Sequence, residues 1–520
     1  MDSIVEALFQ HAREHPGRTA IVFEEQSISY GELASEVERF AAALLAWGLQ
    51  QGDRVALFLE NSPTYIVVYL GIHLAGGIVV LVNTQYRQVE LTHILTDAGA
   101  RMCVTSNAGA EALRPVDLPA LKTLVIVDEA GIRPSKSEKE CCSFPDFLAR
   151  GDGRTHQPLP LPTLEKPAVL AYTSGTTGRA KGALLSHRNL VANITTLTAA
   201  WRWTEQDRLL LVLPLFHAHG LMVGLHGTLF TGASAVLRRA FDASDVLERL
   251  ERDPGITLFF GVPTMYTRLL SEVERRGAPT HALRLFVSGS APLSPQVFTA
   301  FERLFGQRIL ERYGMTETIM NTTNPYEGER RPGTVGGPFP GQEARVVDVR
   351  TRLTLPAGEI GEIEVHGPHV FAGYWNRPEA TTEAFTADGW FKTGDLGWCS
   401  ADGYYTITGR ARELIISGGY NVYPREVEDV LAEHPAIAEV AIVGQPDLDL
   451  GEQVVAFVVP KNGQTPGADE IVAFCRERLA SYKKPRKVVF VEALPRNALG
   501  KVQKHLLDEQ ASATPGPDAS

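Results

Sequence analysis

Apolar positions along the chain follow two spacings. Ser29-Tyr30-Gly31-Glu32 has the form of a capping box, with Ser29 at the N-cap and Glu32 reaching back. Behind it Leu33, Val37, Phe40, Ala41, Leu44 and Leu45 lie on one face of a 3.6-residue period, which predicts a helix that Gly48 and Gly52 end. Val55 to Leu59 begins a strand, and the alternation continues through Ile94, Cys103-Val104 and Leu124 to Val127. Tyr65 to Val82 is an 18-residue run without formal charge, near the length of a membrane span. Pro63, His73 and Gly76-Gly77 break it, so it reads as a buried helix to about Ala75, a turn, and a buried strand from Ile78 to Val82.

Pro134 to Pro167 is polar and proline-rich and reads as a surface connection. Beyond it Ser186 caps a helix from His187 to about Thr198. Strands are expected at Leu209 to Leu213, Ala233 to Leu237, Thr257 to Phe260, Leu283 to Ser288 and Arg308 to Glu311, with helices such as Val246 to Glu251 and Pro295 to Phe305 between them. Strand–helix alternation of this kind indicates α/β units with mainly parallel sheets. From about Gly333 to Gly409 short strands alternate with glycine turns, which suggests a small β-rich part. A final unit mixes the helices Arg425 to Glu433 and Ala468 to Ala480 with the strands Ala438 to Gly444, Val454 to Val459 and Lys487 to Phe490. The expected division is an N-terminal domain over 1–410, a C-terminal domain over 411–510 and a disordered tail over 511–520.

Composition narrows the class. A net charge of −11 argues against a general nucleic-acid binder. Cys103, Cys141, Cys142, Cys399 and Cys475 form no CxxC pair and no even framework, so a reducing compartment, the cytoplasm, is expected. The N-terminal segment is an acidic amphipathic helix without a basic start, not a secretory signal, and no membrane association is expected.

The chemistry concentrates in AYTSGTTGRAKGALLSH, from Ala171 to His187. Thr173, Ser174, Thr176 and Thr177 surround Gly175 and Gly178, and Lys181 follows. Hydroxyls and free backbone N–H groups beside an ammonium wrap phosphate oxygens. This is not a Walker A loop, because Ala180 stands five positions after Gly175 and Gly182 follows Lys181. Apolar flanks on both sides make it a loop between two strands. Ser288-Gly289-Ser290-Ala291-Pro292-Leu293 follows a buried strand, and a turn at the carboxyl end of a sheet is a ligand position. Glu311-Arg312-Tyr313-Gly314-Met315-Thr316-Glu317-Thr318 offers a ring for stacking and a carboxylate for Mg²⁺. Asp395 in Thr393-Gly394-Asp395 can accept from two ribose hydroxyls.

In this order YTSGTTGRAKG, ERYGMTET, GWFKTGD, GRARELIISGGYNVYPREVE and LPRNALGK resemble the motifs of the adenylate-forming superfamily, which includes acyl-CoA synthetases, over Ser29 to Lys504. The resemblance implies a large N-terminal domain of two α/β subdomains and a β-barrel-like one, with a small mobile α+β C-terminal domain. It implies ATP, Mg²⁺ and coenzyme A. Thr173 to Thr177 and Lys181 correspond to the phosphate loop; Gly289, Ser290, Ala291 and Pro292 to the adenine wall, with Tyr313, Gly314 and Met315 opposite; Thr316 and Glu317 to the α-phosphate and metal positions. Asp395 and Arg410 correspond to ribose contacts and Lys501 to the lysine of the first half-reaction. Arg412 stands at the hinge, and Ser417, Gly418, Gly419 and Tyr420 match a loop that returns for thioester formation with coenzyme A.

Three stretches bear on the acid. Leu215-Phe216-His217-Ala218-His219-Gly220 brings two histidines to the start of the acyl pocket, His217 as a candidate catalytic group. Arg284 could aim a guanidinium at a second carboxylate, or be a salt-bridged arginine at a strand start; Ser288 and Met315 would line the same pocket. RLFVSGSAPL, LERYGMTET and the Asn321-Thr322-Thr323-Asn324-Pro325-Tyr326 continuation resemble malonyl-CoA synthetases, which implies malonate as the acid; another small, aromatic or medium-chain acid is the alternative. Pro495 and Gly500-Lys501 resemble a site at which a protein acetyltransferase modifies the catalytic lysine, which would remove its charge.

Overall fold

The computed structural model describes residues 1–128, 140–152, 159–173, 180–279, 283–417, 420–447, 449–497 and 500–507. The capping box forms: Ser29 Oγ accepts from the Glu32 N–H at 3.2 Å, and the Glu32 carboxylate accepts from the Ser29 N–H at 2.8 Å. The helix it starts, Tyr30–Trp47, ends at Gly48 with φ of 99°, the left-handed turn that glycine adopts without strain. The uncharged run divides into the helix Pro63–Leu74 and the strand Ile78–Leu81. Among the described residues no helix is long and apolar enough to cross a membrane.

The first sheet has eight strands. Its parallel body runs from Pro167–Thr173 through Ile78–Leu81, Arg54–Phe58, Met102–Thr105 and Thr123–Ile126 to Glu140–Ser143. Lys181–Ser186 and then Gly373–Tyr374 add antiparallel strands at the other edge. The second sheet has nine strands. Leu310–Tyr313, Leu285–Ser288, Leu258–Gly261, Arg208–Leu211, Ser234–Leu237 and Thr19–Phe23 lie parallel in that order. Helices cover both sheets, as parallel strands buried on two faces require. Glu343–Val347, Gly361–His366, Phe391–Cys399 and Tyr405–Arg410 form a four-stranded antiparallel sheet. After the turn Ala411–Glu413, a five-stranded sheet with the helices Pro424–Ala432 and Ala468–Arg478 completes the described chain. The expected tail lies outside the described residues.

Two features differ from the sequence reading. Thr19–Phe23 was not expected as a strand, yet it pairs with Ser234–Leu237 and brings the N-terminus into the second sheet. Its five residues, TAIVF, are too short to show a period of two against the neighbouring helix. Gly373–Tyr374 is a two-residue strand with no sequence period at all, and it closes the edge beside the phosphate loop.

Three histidines sit where these elements meet. His73 Nε2 donates to the Ala168 carbonyl (3.1 Å), its ring stands 4.9 Å from that of His187, and His226 Nε2 is 2.9 Å from the Tyr69 hydroxyl. Burial holds all three neutral, pushing His187 down to about 4 and His226 to about 3. An unfolded histidine takes a proton near pH 6.5 and these folded ones do not, so stability is full above that pH and falls as pH drops towards 4. Each contributes a slope of about 1.4 kcal/mol per pH unit. Urea unfolding followed from pH 7 to 4.5 is expected to show this loss, with a shallower slope in His187→Gln; an unchanged slope refutes the assignment.

Candidate active site

The site lies at the carboxyl ends of adjacent parallel strands, where open α/β sheets bind ligands. The hairpin of Pro167–Thr173 and Lys181–Ser186 sets Thr173 opposite Lys181. Its base is tied from outside: Tyr172 donates its hydroxyl to Asp97 at 2.8 Å, and His93 Nε2 lies 2.7 Å from the Ala180 carbonyl. Ser174, Gly175, Thr176 and Thr177 lie outside the described residues.

Thr316 and Glu317 follow the strand Leu310–Tyr313. The Glu317 carboxylate is buried, which raises its pKa, while hydrogen bonds from Tyr374 (3.0 Å) and Thr173 (3.4 Å) act the other way. A hard carboxylate oxygen suits Mg²⁺, which binds through one or two carboxylates and substrate phosphates rather than a protein cage. Glu317 therefore fits that ion.

Asp395 is almost fully buried, accepts from Arg410 Nε at 2.7 Å and also takes the Tyr313 hydroxyl. Its loop is fixed by Thr393, whose Oγ1 accepts from the Asp395 N–H at 3.0 Å, and by Glu362, which accepts from the Gly394 N–H at 3.1 Å. Opposite, the turn Gly289-Ser290-Ala291-Pro292 holds Ser290 at φ of 71°, a left-handed conformation uncommon for serine. Glu311 supports this turn: its Oε1 accepts from the Leu293 N–H at 2.9 Å, and burial pushes its carboxyl up to about 8. Gly314 has no room for a side chain, because a Cβ would meet the Ile319 carbonyl.

Beyond the turn several polar side chains gather in the interior. His219 opens a π-helical segment, His219–Leu225, a geometry frequent at functional sites. Its Nδ1 is 3.4 Å from Ser290 Oγ, and its ring lies parallel to Phe260 at 6.2 Å. His219 is buried and His217 half-buried, and desolvation holds both neutral, His217 pushed down to about 4. The Arg312 guanidinium lies directly against Gly289, where a Cβ would collide with it. Arg312 is buried, and burial pulls its pKa down to about 9. Among the described residues Arg312 Nε and Nη2, Ser288 Oγ and the Nε2 atoms of His217 and His219 have no hydrogen-bond partner. Buried polar atoms in that condition call for an explanation, and a polar guest is one.

Arg284, expected as the acid-binding arginine, is engaged elsewhere. Its Nε and Nη2 donate to the two Asp207 oxygens, both at 2.9 Å, its Nη1 donates to the Trp201 carbonyl at 2.8 Å, and it covers the Tyr326 ring. That fork leaves it a structural ion pair. Arg312, not singled out in the sequence, is the buried guanidinium on this side of the turn; flanked by Glu311 and Tyr313, it carried no signal that set it apart from a salt-bridged arginine.

Lys501 reaches the nucleotide side from the C-terminal unit. Arg410, Asp395, Glu413 and Arg412 are its charged neighbours, and burial lowers its pKa. Gly500, at φ of 74°, packs so closely on Thr264 that a side chain would not fit. Arg412 lies in the turn Ala411–Glu413 between the two sheets. Ser417 and Tyr420 are not brought to the site: Tyr420 is 58% exposed and stacks on Tyr482 with ring centres 4.7 Å apart. Gly418 and Gly419 lie outside the described residues.

The model of the AMP-binding enzyme family matches residues 8–375, and that of the AMP-binding enzyme C-terminal domain matches residues 426–501. The chain belongs to the AMP-binding enzyme family. This AMP-binding enzyme is 36% identical to a long-chain-fatty-acid–CoA ligase of Bacillus subtilis, over 97% of its own chain and 94% of that protein. It is 36% identical to a sulfoacetate–CoA ligase of Cupriavidus necator (97% of both chains) and 35% identical to a human mitochondrial malonate–CoA ligase (96% and 91%). The crystal structure of ATP-bound MatB from Rhodopseudomonas palustris superposes with a TM-score of 0.88 at 39% identity, over 98% and 99% of the two chains. The enzyme is thus an AMP-forming acyl-CoA synthetase, an acid–thiol ligase that uses ATP and coenzyme A, and it resembles malonyl-CoA synthetases.

The assignment of Arg284 in this AMP-binding enzyme has a measurable consequence. Arg284→Ala strands the buried Asp207 carboxylate and is expected to cost on the order of 3 kcal/mol in denaturant unfolding. KM for the acid is expected to stay unchanged; a raised KM at unaltered stability returns Arg284 to the substrate.

Proposed function

We propose that the enzyme joins malonate to coenzyme A, turning ATP, malonate and coenzyme A into malonyl-CoA, AMP and pyrophosphate. The observation that carries this reading is Arg312, a buried guanidinium with two donor nitrogens, Nε and Nη2, unpartnered among the described residues. A second carboxylate on the acid would supply the counter-charge, in the paired geometry that arginine favours. The neutral His217 and His219 offer hydrogen bonds without a charge, so Arg312 is the cation of the pocket. An alkyl chain there would leave that cation buried and unpaired, which disfavours a fatty acid. Methylmalonate fits the same reading, because one methyl group discriminates by only about 1–3 kcal/mol. A sulfonate presents the same anionic oxygens, and the resemblance to a sulfoacetate–CoA ligase makes sulfoacetate the second reading.

In the first half-reaction the acid carboxylate attacks the α-phosphorus, and catalysis is positioning and charge stabilisation. Thr173 to Thr177 and Lys181 hold the phosphates; Thr316 and Lys501 contact the oxygens on which charge grows. Glu317 would hold Mg²⁺, whose charge offsets that of the triphosphate. Asp395 and Arg410 fix the ribose, and the Gly289–Pro292 turn with Tyr313 encloses the adenine. Rotation about Arg412 then withdraws Lys501 and brings Ser417 to Tyr420 to the acyl-adenylate for coenzyme A. The five cysteines, with no CxxC pair among them, support a reducing compartment, for which the cytoplasm is our reading. Acetylation of Lys501 would silence the first step and requires the lysine to leave its buried position first.

Arg312→Met is expected to lower kcat/KM for malonate about a hundredfold, the value of a lost charged hydrogen bond in a dry site, while propionate is spared or improved. A pyrophosphate-release screen over malonate, methylmalonate, sulfoacetate, succinate, acetate and benzoate tests the reading directly. Equal rates for malonate and acetate sink it. Lys501→Ala is expected to abolish pyrophosphate release yet still form malonyl-CoA from supplied malonyl-adenylate; loss of both steps refutes the division of labour.

A further inference from the structure

We infer that Tyr374 is the positioning residue that sets the carboxylate of Glu317 and the ammonium of Lys181 in register across the nucleotide site. The inference rests on the role proposed for Glu317. The Tyr374 hydroxyl donates to Glu317 Oε1 at 3.0 Å, and the Lys181 Nζ stands 5.3 Å above the centre of its ring. Among the described residues Lys181 forms no ion pair, and its ammonium rests over this ring. One side chain thus meets an anion with its polar end and a cation with its electron-rich face.

The two charges come from different sheets. Lys181 opens a strand of the first, and Glu317 follows a strand of the second. Tyr374 is bound to both. Its backbone pairs with Ala183, two residues from Lys181. Its N–H donates to Thr381 Oγ1 at 2.9 Å, and its ring meets Phe371 edge-on at 4.9 Å. Phe371 in turn donates its N–H to the Glu317 carbonyl at 2.9 Å. A tyrosine placed only to fill space needs some acceptor for its hydroxyl. This one takes the carboxylate oxygen that Thr173, at the mouth of the phosphate loop, also approaches at 3.4 Å.

Two substitutions separate the hydroxyl from the ring. Tyr374→Phe deletes only the bond to Glu317; Tyr374→Leu also removes the surface under Lys181. Mn²⁺ binding is read by electron paramagnetic resonance with a non-hydrolysable ATP analogue, and nucleotide affinity by calorimetry in excess metal. Tyr374→Phe is expected to weaken Mn²⁺ binding about 10- to 100-fold, as loss of a partner behind a metal ligand does, with nucleotide affinity retained. In turnover it raises the Mg²⁺ concentration for half-maximal rate, and kcat recovers at high Mg²⁺. Tyr374→Leu is expected to weaken the nucleotide as well. Glu317→Gln serves as the reference. Wild-type Mn²⁺ binding in Glu317→Gln overturns the role of Glu317, and the inference with it. Lost binding in Glu317→Gln beside wild-type binding in Tyr374→Phe overturns the inference alone. Unchanged nucleotide affinity in Tyr374→Leu removes Lys181 from it.

Discussion

A guanidinium buried without a counter-ion is among the costlier arrangements in a protein interior, and the strand Leu310–Tyr313 is built around one. Side chains alternate along a strand, so its consecutive residues must serve different compartments. Glu311 turns to the Leu293 N–H and braces the turn at Gly289 to Pro292. Arg312 turns the other way, against Gly289 and towards His219. Tyr313 reaches Asp395. A slip of one residue would exchange these faces, so the register with Leu285–Ser288 fixes the surroundings of Arg312 and of Asp395, the proposed acid and nucleotide sides, together.

The nucleotide half has its own hub in Arg410. It pairs with Asp395 at 2.7 Å, and Glu317 and Glu413 add to the negative field that keeps it charged. Lys501 shares Asp395 and Glu413 and is opposed by Arg410 itself. The lysine is therefore held between attraction and repulsion, with burial working against its charge. A cation so balanced binds weakly to the empty protein and strongly to an added polyanion. Glu362 accepts from the Gly394 N–H and Thr393 donates to the Ile363 carbonyl, and both hold the loop that carries Asp395.

Much of this was legible in the sequence because it is local. The capping boxes at Ser29 and Ser186, the division of Tyr65 to Val82, and the strands before the motif loops all depend on neighbours a few residues apart. The ordered motifs identified the family for the same reason. What was hidden depends on partners far away. Arg284 and Arg312 are indistinguishable by type; only the fold shows that Asp207 claims the first. Thr19–Phe23 is a strand because Ser234–Leu237 lies beside it, and Tyr374 meets Glu317 across 57 residues of sequence.

Lys501 is seated in the site from the C-terminal unit, its turn pressed on Thr264. An active group on a detachable arm imposes a sequence of events as well as a geometry. On the proposed reading, the arm when down would close the path it fills to a thiol, so coenzyme A would follow the first step in time. The arm when lifted would take its cation from the pyrophosphate, and the leaving group would depart before the thioester forms. A contact between a glycine and a threonine would then time the release of product.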